Sequence, residues 1–389
     1  MAERPPPGQP PPPEEGPSPE EGPPPTADWP PADGEPPRPE PASAGTGGSP
    51  RRTTAATART LFVTGGTGFI GRRLVARLLQ RGDRVRCLVR DPATPAAAAL
   101  RAAGAELVEG DATALATLAR HIRGADVAYH LAAVYDIGIV REEVLEDVNV
   151  GGTRHFLAAA RGAEVPHAVY VSSTVALGPA PTGADGDERS AWDGPFPSVY
   201  HRTKTEAHHL AAAAQAAGQP LTLVCPANVY GPEDDGPNGR FIRDLVRGRL
   251  PALVRHPATF SYVFVEDVAD GLVAAGDAPR GGTYVLGGES ATLNEFAERV
   301  CAAAERRAPR LRMPVGLVRA TARLTDAVSR VTPLRLPITV EGVDVTTGAR
   351  WVHSYARATD ELGYAPRPLA AGIPVTAAWA LVAEAGKRR

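Results

Sequence analysis

The sequence predicts an α/β protein: a Rossmann-type, doubly wound parallel sheet with a disordered N-terminal tail and a smaller C-terminal substrate-binding region. Three observations support this fold class. Short apolar runs alternate with helix-length segments from residue 59 onward, a glycine-rich turn follows the first of these runs, and residues 1–50 hold 19 of the 40 prolines. Repeated βα units of this kind form a parallel sheet that helices cover on both faces.

The first element is a tail over residues 1–58. Its first fifty residues carry nine acidic residues and two arginines, which gives a net charge of −7, and Trp29 is their one large aromatic side chain. Such a segment buries too little apolar surface to offset the entropy that it loses on ordering, so we predict disorder. It lacks the apolar core of a signal peptide. A polyproline segment that binds a partner is the alternative interpretation.

Charge, cysteine content and hydropathy exclude several classes of protein. Because the whole chain carries −2 and its first fifty residues −7, the remainder carries about +5, too little to indicate a nucleic-acid-binding surface. Cys87, Cys225 and Cys301 lie far apart in apolar contexts, which predicts reduced core residues and no disulfide framework or metal site. No apolar run reaches the roughly 18 residues of a membrane span. We therefore expect a cytoplasmic protein that acts on a small molecule.

Strands and helices then alternate through a nucleotide-binding domain that we place at residues 59–232. The predicted strands are 60–64, 84–89, 105–109, 126–131, 167–172 and 220–225. The predicted helices are 69–81, 93–103, 113–123, 141–162 and 199–217.

Residues 233–389 form mainly the smaller substrate-binding region, from which segments near 260–290 return to the first domain. The predicted elements are helices near 293–306, 314–330 and 370–385 and a strand near 283–286. We expect this region to cap the carboxyl ends of the strands, where ligands bind in open α/β sheets. The apolar spacing within 314–330 predicts an ordinary packed amphipathic helix rather than a pocket cover or a membrane contact.

The glycine-rich turn predicts a phosphate site. The apolar strand Leu61–Val63 leads into glycines at 65, 68 and 71, and a helical segment follows at once. Glycines let the backbone turn tightly and approach phosphates, while the helix N-terminus offers unpaired N–H groups and the positive end of its dipole. A strand before the glycines and a helix after them is the context that supports a dinucleotide site.

Several further motifs occur in a fixed order along the chain. They are the TGxxGxxG run Thr64–Gly71, Gly110-Asp111, His130–Ala133, Asn149–Thr153, Val171–Thr174, the YxxxK run Tyr200–Lys204, Pro226–Pro232 and Val265–Ala269. With this ordered set the chain resembles the extended short-chain dehydrogenase/reductase superfamily over residues 59–310. The run Cys87–Pro92 and the Phe260 region are most similar to the dihydroflavonol-4-reductase and 3β-hydroxysteroid dehydrogenase branch, and to hopanoid-associated sugar epimerase-like proteins.

The resemblance implies a catalytic set of Ser173, Tyr200 and Lys204. Tyr200 would exchange a proton with the substrate oxygen as hydride moves, and Ser173 would orient that oxygen, with Ser172 as the alternative. An unperturbed tyrosine has a pKa of about 10, too high for a general base at neutral pH. Lys204 follows at i+4 on the same helical face, and its charge would favour the phenolate. Family members often form homodimers, which makes a homodimer a further expectation.

The resemblance also implies which residues hold the cofactor. They are Thr64, Gly65, Gly68, Phe69, Ile70, Gly71, Arg90, Asp111, Ala112, Leu131, Ala132, Ala133, Asn149, Tyr200, Lys204, Pro226 and Val229. Relatives that use NAD place an acid at the end of the second strand, where this chain has Val89 and then Arg90. An arginine pairs well with a 2′-phosphate, so we predict NADP, with NAD as the alternative. Asp91 lies two positions beyond Val89, the position at which those relatives carry the acid.

Departures from the family's patterns narrow the reaction. Thr174-Val175 stands where dehydratases carry an Asp-Glu pair, and Phe260 stands where sugar-nucleotide epimerases carry an arginine that clamps the diphosphate. The leading hypothesis is therefore NADP-linked hydride transfer to or from a small or lipid-like substrate. The alternatives are a sugar or sugar-nucleotide epimerase and a non-catalytic nucleotide-binding protein. The catalytic set argues against the last of these, because nucleotide binding alone needs no proton transfer.

Overall fold

The computed structural model describes residues 58–137, 141–278, 281–331 and 339–385. Except for Ala58, the predicted tail lies outside the described residues. The strands, in chain order, are β1 Thr60–Thr64, β2 Arg84–Val89, β3 Glu106–Glu109, β4 Val127–His130, β5 Ala168–Val171, β6 Leu221–Pro226, β7 Asn228–Tyr230, β8 Ala252–Val254, β9 Thr259–Phe264, β10 Thr283–Leu286, β11 Ser290–Thr292, β12 Leu311–Met313 and β13 Arg350–Trp351.

Helices connect these strands. They are α1 Gly71–Gln80, α2 Pro95–Ala102, α3 Leu115–His121, α4 Glu142–Leu145, α5 Gly152–Gly162, α6 Val199–Ala216, α7 Pro237–Val246, α8 Val265–Asp277, α9 Leu293–Ala303, α10 Val315–Val331, α11 Val340–Thr346, α12 Ala356–Leu362 and α13 Leu369–Ala385. A π-helical turn, Glu146–Gly151, joins α4 to α5, and a 3₁₀ turn, Thr174–Leu177, follows β5.

Seven parallel strands form the central sheet, in the order β3–β2–β1–β4–β5–β6–β10. The predicted Rossmann-type sheet is confirmed. The chain runs outward from β1 to β3 and then returns to β4 on the other side of β1. This reversal leaves a crevice at the carboxyl ends of β1 and β4, where open α/β sheets bind their ligands.

Both faces of the sheet are buried, which explains the continuous apolar strands. In β1, Leu61 and Val63 pack in one core cluster with side chains of α1 and α8, while Phe62 packs in the opposite cluster with side chains of α3, α5 and α6. Successive strand residues point to opposite faces, so a strand covered on both sides needs apolar residues at every position. The cysteines Cys87, Cys225 and Cys301 are free and buried, as predicted.

The C-terminal elements build a second, smaller core. Strand β9 pairs with β7, β11 and β13, β8 pairs with β12, and a third apolar cluster joins β9 to α7, α9 and α13. Strand β10 and helix α8 return to the large sheet. The boundary between the nucleotide-binding domain and the substrate-binding region, at residue 232, stays a prediction.

Helix α10 differs from the packed amphipathic helix that its spacing predicts. In the part of α10 whose side chains are described, Ala322 alone is buried, whereas Leu317 and Leu324 are 55% and 66% exposed. Its principal neighbour is the short helix α11. Helix α10 therefore has an apolar face, but much of that face is exposed to solvent.

Candidate active site

The glycine turn is packed too closely for any larger residue at its key positions. A Cβ on Gly71 would lie 2.1 Å from the carbonyl oxygen of Gly65. A Cβ on Gly65, which has a positive φ of 73°, would lie 2.6 Å from the backbone nitrogen of Ala132, at the end of the neighbouring strand. The turn thus fills the bottom of the crevice between β1 and β4 with bare backbone, as a pyrophosphate cradle requires.

The N-terminus of α1 is free to receive an anion. No side chain caps this helix, and its first turn contains no acidic residue. An uncapped helix start presents backbone N–H groups and partial positive charge. Together with the close-packed glycines, it has the features that the phosphates of a dinucleotide need.

Arg72 and Arg73 follow the turn but have partners of their own. Arg73 donates to the carbonyl oxygen of Pro232 at 2.7 Å and forms ion pairs with Glu233 and Glu266, both at 3.2 Å. Arg72 also pairs with Glu233. Both arginines therefore link α1 to the loop after β7.

The loops after β4 and β5 meet beside the turn. Thr64 Oγ1 lies 2.8 Å from His130 Nδ1, and both side chains are buried, which fixes the end of β1 against the end of β4. Asn149, in the π-helical turn, accepts from the backbone nitrogen of Val134 at 2.8 Å and donates to Thr203 Oγ1 at 3.1 Å. Asn149 therefore joins the loop after β4 to α6.

Ser172 and Ser173 point in different directions. Ser172 is buried, and its Oγ lies 2.9 Å from His208 Nδ1 on α6. Ser173 begins the 3₁₀ turn, where its Oγ accepts from the backbone nitrogen of Val175 at 3.4 Å, and it lines the cavity beside the glycine turn. Of the two serines, Ser173 has the hydroxyl that can reach a ligand.

Tyr200 and Lys204 share a face of α6, as their spacing predicts, but they do not interact directly. Lys204 Nζ donates to the carbonyl oxygen of Val171 at 3.0 Å and lies 3.5 Å from the hydroxyl of Tyr170. Burial lowers the pKa of Lys204 to about 8. Burial raises the pKa of Tyr200 to about 12, and the hydrogen bond from Ser173 only partly opposes it.

Burial is the largest influence on Tyr200 in this structure and favours the protonated phenol, so phenolate stabilisation by Lys204 stays a prediction. A protonated Tyr200 is suited to donate a proton. It would act as the general acid when a carbonyl is reduced.

The cavity above these groups has a volume of about 300 Å³. Predicted site residues that line it are Gly65, Gly68, Phe69, Ile70, Gly71, Leu131, Ala133, Ser173, Tyr200, Pro226 and Val229. Phe260 lines it as well. Among the described residues, no lysine or arginine belongs to its wall, and Asp234 is the one charged residue there.

Other predicted residues lie outside the wall. They are Thr64, Arg90, Asp111, Ala112, Ala132, Asn149 and Lys204. Arg90 is exposed at the end of β2, and its guanidinium has no partner among the described residues. Asp111 accepts from the backbone nitrogen of Thr113 at 2.8 Å in a turn after β3, and Asp91 does the same for Ala93.

Sequence reasoning missed much of the substrate side of the cavity. The missed lining residues include Tyr135, Ile137, His201, Asn228, Asp234, Asn238, Val345 and Trp351. Trp351 lies opposite Phe260 in the β13–β9 register, so two aromatic side chains form one wall. His201 directly follows Tyr200, and its Nδ1 lies 2.7 Å from Ser198 Oγ. A histidine beside the predicted catalytic tyrosine was the one signal available; the others join the site only through tertiary structure.

Comparisons with known proteins agree with this geometry. Residues 61–287 match the model of the NAD dependent epimerase/dehydratase family. Sterol demethylase protein B of Methylococcus capsulatus is 33% identical over 82% of this chain and 98% of its own length. The 3 beta-hydroxysteroid dehydrogenase/Delta 5-->4-isomerase of Mycobacterium tuberculosis is 30% identical over 79% of this chain and 86% of its own length.

A solved structure shares the fold as well. The UDP-glucose 4-epimerase of Thermus thermophilus, in complex with NAD, superposes with a TM-score of 0.64. It is 25% identical to this chain and is matched over 83% of this chain and 99% of its own. In the part of the chain that the structure describes, no helix is long and apolar enough to cross a membrane.

Proposed function

The chain belongs to the NAD dependent epimerase/dehydratase family, and from that premise we propose that it is an NADP-dependent oxidoreductase acting on a small or lipid-like substrate. It transfers hydride between NADP(H) and a carbonyl or alcohol carbon. The resemblance to the extended short-chain dehydrogenase/reductase superfamily and to hydroxysteroid dehydrogenases is confirmed. The reaction type and the preference for NADP are our proposal.

The observation that carries this proposal is the composition of the cavity wall. Phe260 and Trp351 line the same cavity as Ser173 and Tyr200, and no described lysine or arginine belongs to its wall. A nucleotide-sugar diphosphate needs cationic partners in a buried site. The apolar wall instead favours a substrate whose body is apolar and whose one polar group is the reacting oxygen.

The cofactor, when bound, supplies or accepts the hydride. The glycine turn and the free N-terminus of α1 would hold its pyrophosphate, and Arg90 its 2′-phosphate. Ser173 donates a hydrogen bond to the substrate oxygen, and Tyr200 transfers a proton to that oxygen in the reduction direction. The buried ammonium of Lys204 lies behind this pair and contributes positive charge as the oxygen gains negative charge.

A panel of apolar carbonyl compounds with NADPH tests the reaction type. We expect net oxidation of NADPH by the wild-type enzyme, and Tyr200→Phe should abolish turnover while the Kd for NADPH stays unchanged. Ser173→Ala should lower kcat by about a hundredfold, the usual effect of removing one oxyanion donor. Ser172→Ala is the matched control: it should lower stability, because His208 loses its partner, but leave kcat nearly unchanged. Full activity in Tyr200→Phe would refute the mechanism.

The cofactor preference rests on Arg90 and is tested separately. Arg90→Gln should weaken NADPH binding about tenfold or more, because a charge-assisted contact with the 2′-phosphate is lost, and leave NADH binding unchanged. Arg84→Gln, at the other end of β2, is the matched control and should change neither the Kd for NADPH nor the Kd for NADH. Equal affinity of the wild-type protein for NADPH and NADH would contradict the proposal.

Epimerisation of a sugar or sugar nucleotide is the second candidate. The solved epimerase structure shares this fold, and a polar corner formed by Asn228, Asp234 and Asn238 lines one side of the cavity. Arg240 and Arg243 do not supply the missing clamp: Arg240 pairs with Asp136 at 3.7 Å, and Arg243 donates to the carbonyl oxygen of Asp234 and stacks on Trp379. Isomerised product without net change in the cofactor would favour this alternative.

A further inference from the structure

The segment from Arg306 to Leu324 combines exposed leucines with unpaired arginines. It runs from the end of α9 through β12 into the first half of α10. Leu311, Leu317 and Leu324 are 60%, 55% and 66% exposed, among the most exposed large apolar side chains of the described residues. We call these leucines and the arginines between them the 306–324 surface.

The arginines of this surface fall into two groups. Arg312 pairs with Glu298, and Arg319 with Asp344. By contrast, the side chains of arginines 306, 307, 310 and 323 are exposed and form no hydrogen bond or ion pair with any described residue. Residues 306–323 include six arginines and no acidic residue, so positive charge is concentrated on this segment.

Helix α10 orders part of the surface. Leu317, Ala320, Thr321 and Leu324 are all exposed and follow the i, i+3, i+4, i+7 spacing of one helical face, while Ala322 and Arg319 turn toward α11. Arg323 flanks this face on the solvent side. An exposed apolar stripe bordered by arginine is the pattern of a helix that lies in the plane of a membrane interface.

We propose that the 306–324 surface docks this protein onto an anionic lipid bilayer. The leucines enter the boundary between headgroups and acyl chains, and the unpaired arginines face the anionic headgroups. Charge complementarity selects this occupant, since a second copy of the chain would bring the same uncompensated arginines against each other. Binding is peripheral, in keeping with the lack of a helix in the described residues that could cross a bilayer.

The position of α10 gives this docking a consequence for the cavity. Helix α10 packs against α11, and Val345 of α11 lines the cavity. A docked protein would therefore have one cavity wall attached to the element that touches lipid. The docking itself does not rest on the proposed oxidoreductase function, because vesicle binding requires no turnover.

Vesicle flotation with the full chain tests the proposal. We expect binding to vesicles of phosphatidylcholine that contain about a third phosphatidylserine, little binding to phosphatidylcholine alone, and weakening by salt. Replacing arginines 306, 307, 310 and 323 by glutamine should reduce the partition coefficient tenfold or more, since each basic residue near the surface contributes separately. The double change Leu317→Ser and Leu324→Ser should also reduce it about tenfold.

A matched control uses exposed valines elsewhere. Val375 and Val382 on α13 are 51% and 71% exposed, so Val375→Ser with Val382→Ser removes comparable apolar surface away from the arginines and should leave vesicle binding unchanged. All variants should keep the wild-type melting temperature. The proposal is overturned if the wild-type chain ignores anionic vesicles, if the leucine and arginine variants bind normally, or if the leucine variant only converts a dimer into a monomer.

Discussion

Tyr200 and Lys204 lie one helical turn apart on α6, and burial moves their pKa values in opposite directions. Burial raises the pKa of Tyr200 to about 12 and lowers the pKa of Lys204 to about 8, because the charged form of each group loses contact with water. At neutral pH both groups are thus protonated. In that state the pair can donate a proton to a developing alkoxide.

The lowered pKa of Lys204 predicts an alkaline limb in the pH profile of carbonyl reduction. As the pH rises through about 8 Lys204 loses its charge, so kcat/KM should fall, while Tyr200 stays protonated. Lys204→Arg should move this limb to higher pH, because a guanidinium keeps its proton. A limb that stays near pH 8 in Lys204→Arg would show that another group titrates there.

The free energy of unfolding, in contrast to kcat/KM, should increase as the pH rises above about 8. The folded pKa of Lys204 lies below its unfolded value of 10.5, so the unfolded chain binds more protons between these values. Burying the charge therefore destabilises the fold below pH 8, and this penalty decreases as the pH rises toward about 10.5. The site retains a lysine at a position where charge is unfavourable to folding.

At the residue scale, motif spacing selected residues that the structure places at the cavity, and their catalytic roles stay predictions. The family register selected Ser173 over Ser172, and in the structure only Ser173 faces the cavity. The contact of Lys204 was not predictable, because its acceptor is a backbone carbonyl on β5 that is brought near α6 by packing. Spacing along a helix gives the face of a side chain but not its partner on another element.

Among the elements, the glycine turn has a strict steric requirement that involves backbone on both sides of the contact. The Cβ of Gly71→Ala would meet the backbone of Gly65 at 2.1 Å, so backbone must move to accommodate it. We expect this change to cost about 1–3 kcal/mol of unfolding free energy, the usual cost of overpacking, and to weaken NADPH binding. Thermal unfolding and fluorescence titration measure the two effects.

Gly162→Ala is the matched control for this prediction. Apart from its chain neighbours and the backbone of its own helix, no atom lies within 4 Å of the Cβ that it would add at the end of α5. The change should therefore leave cofactor binding intact and stabilise the protein slightly, because alanine restricts the unfolded chain. If Gly71→Ala and Gly162→Ala lost equal amounts of stability and of NADPH affinity, the glycine turn would have no special steric role.

Elements of the large sheet were predicted to within a few residues, because each strand is a short apolar run between helices. The strands β7, β8, β9, β11, β12 and β13 were not predicted. Most contain two to four residues and pair with strands far away in the chain, so local sequence carries little signal for them. Strand β9 is longer, but its neighbours β7, β11 and β13 come from three separate segments.

At the scale of the whole molecule, the two cores share one cavity. The large sheet provides the glycine turn, Ser173 and Tyr200, while the smaller core provides Phe260 and Trp351. Under the proposed function, cofactor recognition and substrate recognition would therefore belong to different parts of the chain. The N-terminal part carries recognisable motifs, whereas the substrate wall is assembled from distant segments, which explains why the sequence indicated the cofactor better than the substrate.

This division predicts separable effects. Phe260→Ala should raise the KM for an apolar carbonyl substrate about tenfold, because a buried aromatic contact is lost, and leave the Kd for NADPH unchanged. Steady-state kinetics and cofactor titration on the same preparation measure both quantities. The KM of Phe260→Leu, which keeps an apolar side chain, should lie between the values for the wild type and Phe260→Ala. An unchanged KM in Phe260→Ala would remove Phe260 from the substrate wall.

The arginine links at the start of α1 have a further consequence. Arg72 and Arg73 hold the loop that begins at Pro232, and two residues later that loop contributes Asp234 to the substrate side of the cavity. The helix that would receive the pyrophosphate is thus connected to the loop that would meet the substrate. We expect the two ligands to bind cooperatively, with each changing the affinity for the other by the same factor. The enzyme would then favour an ordered kinetic sequence in which the dinucleotide enters first and leaves last.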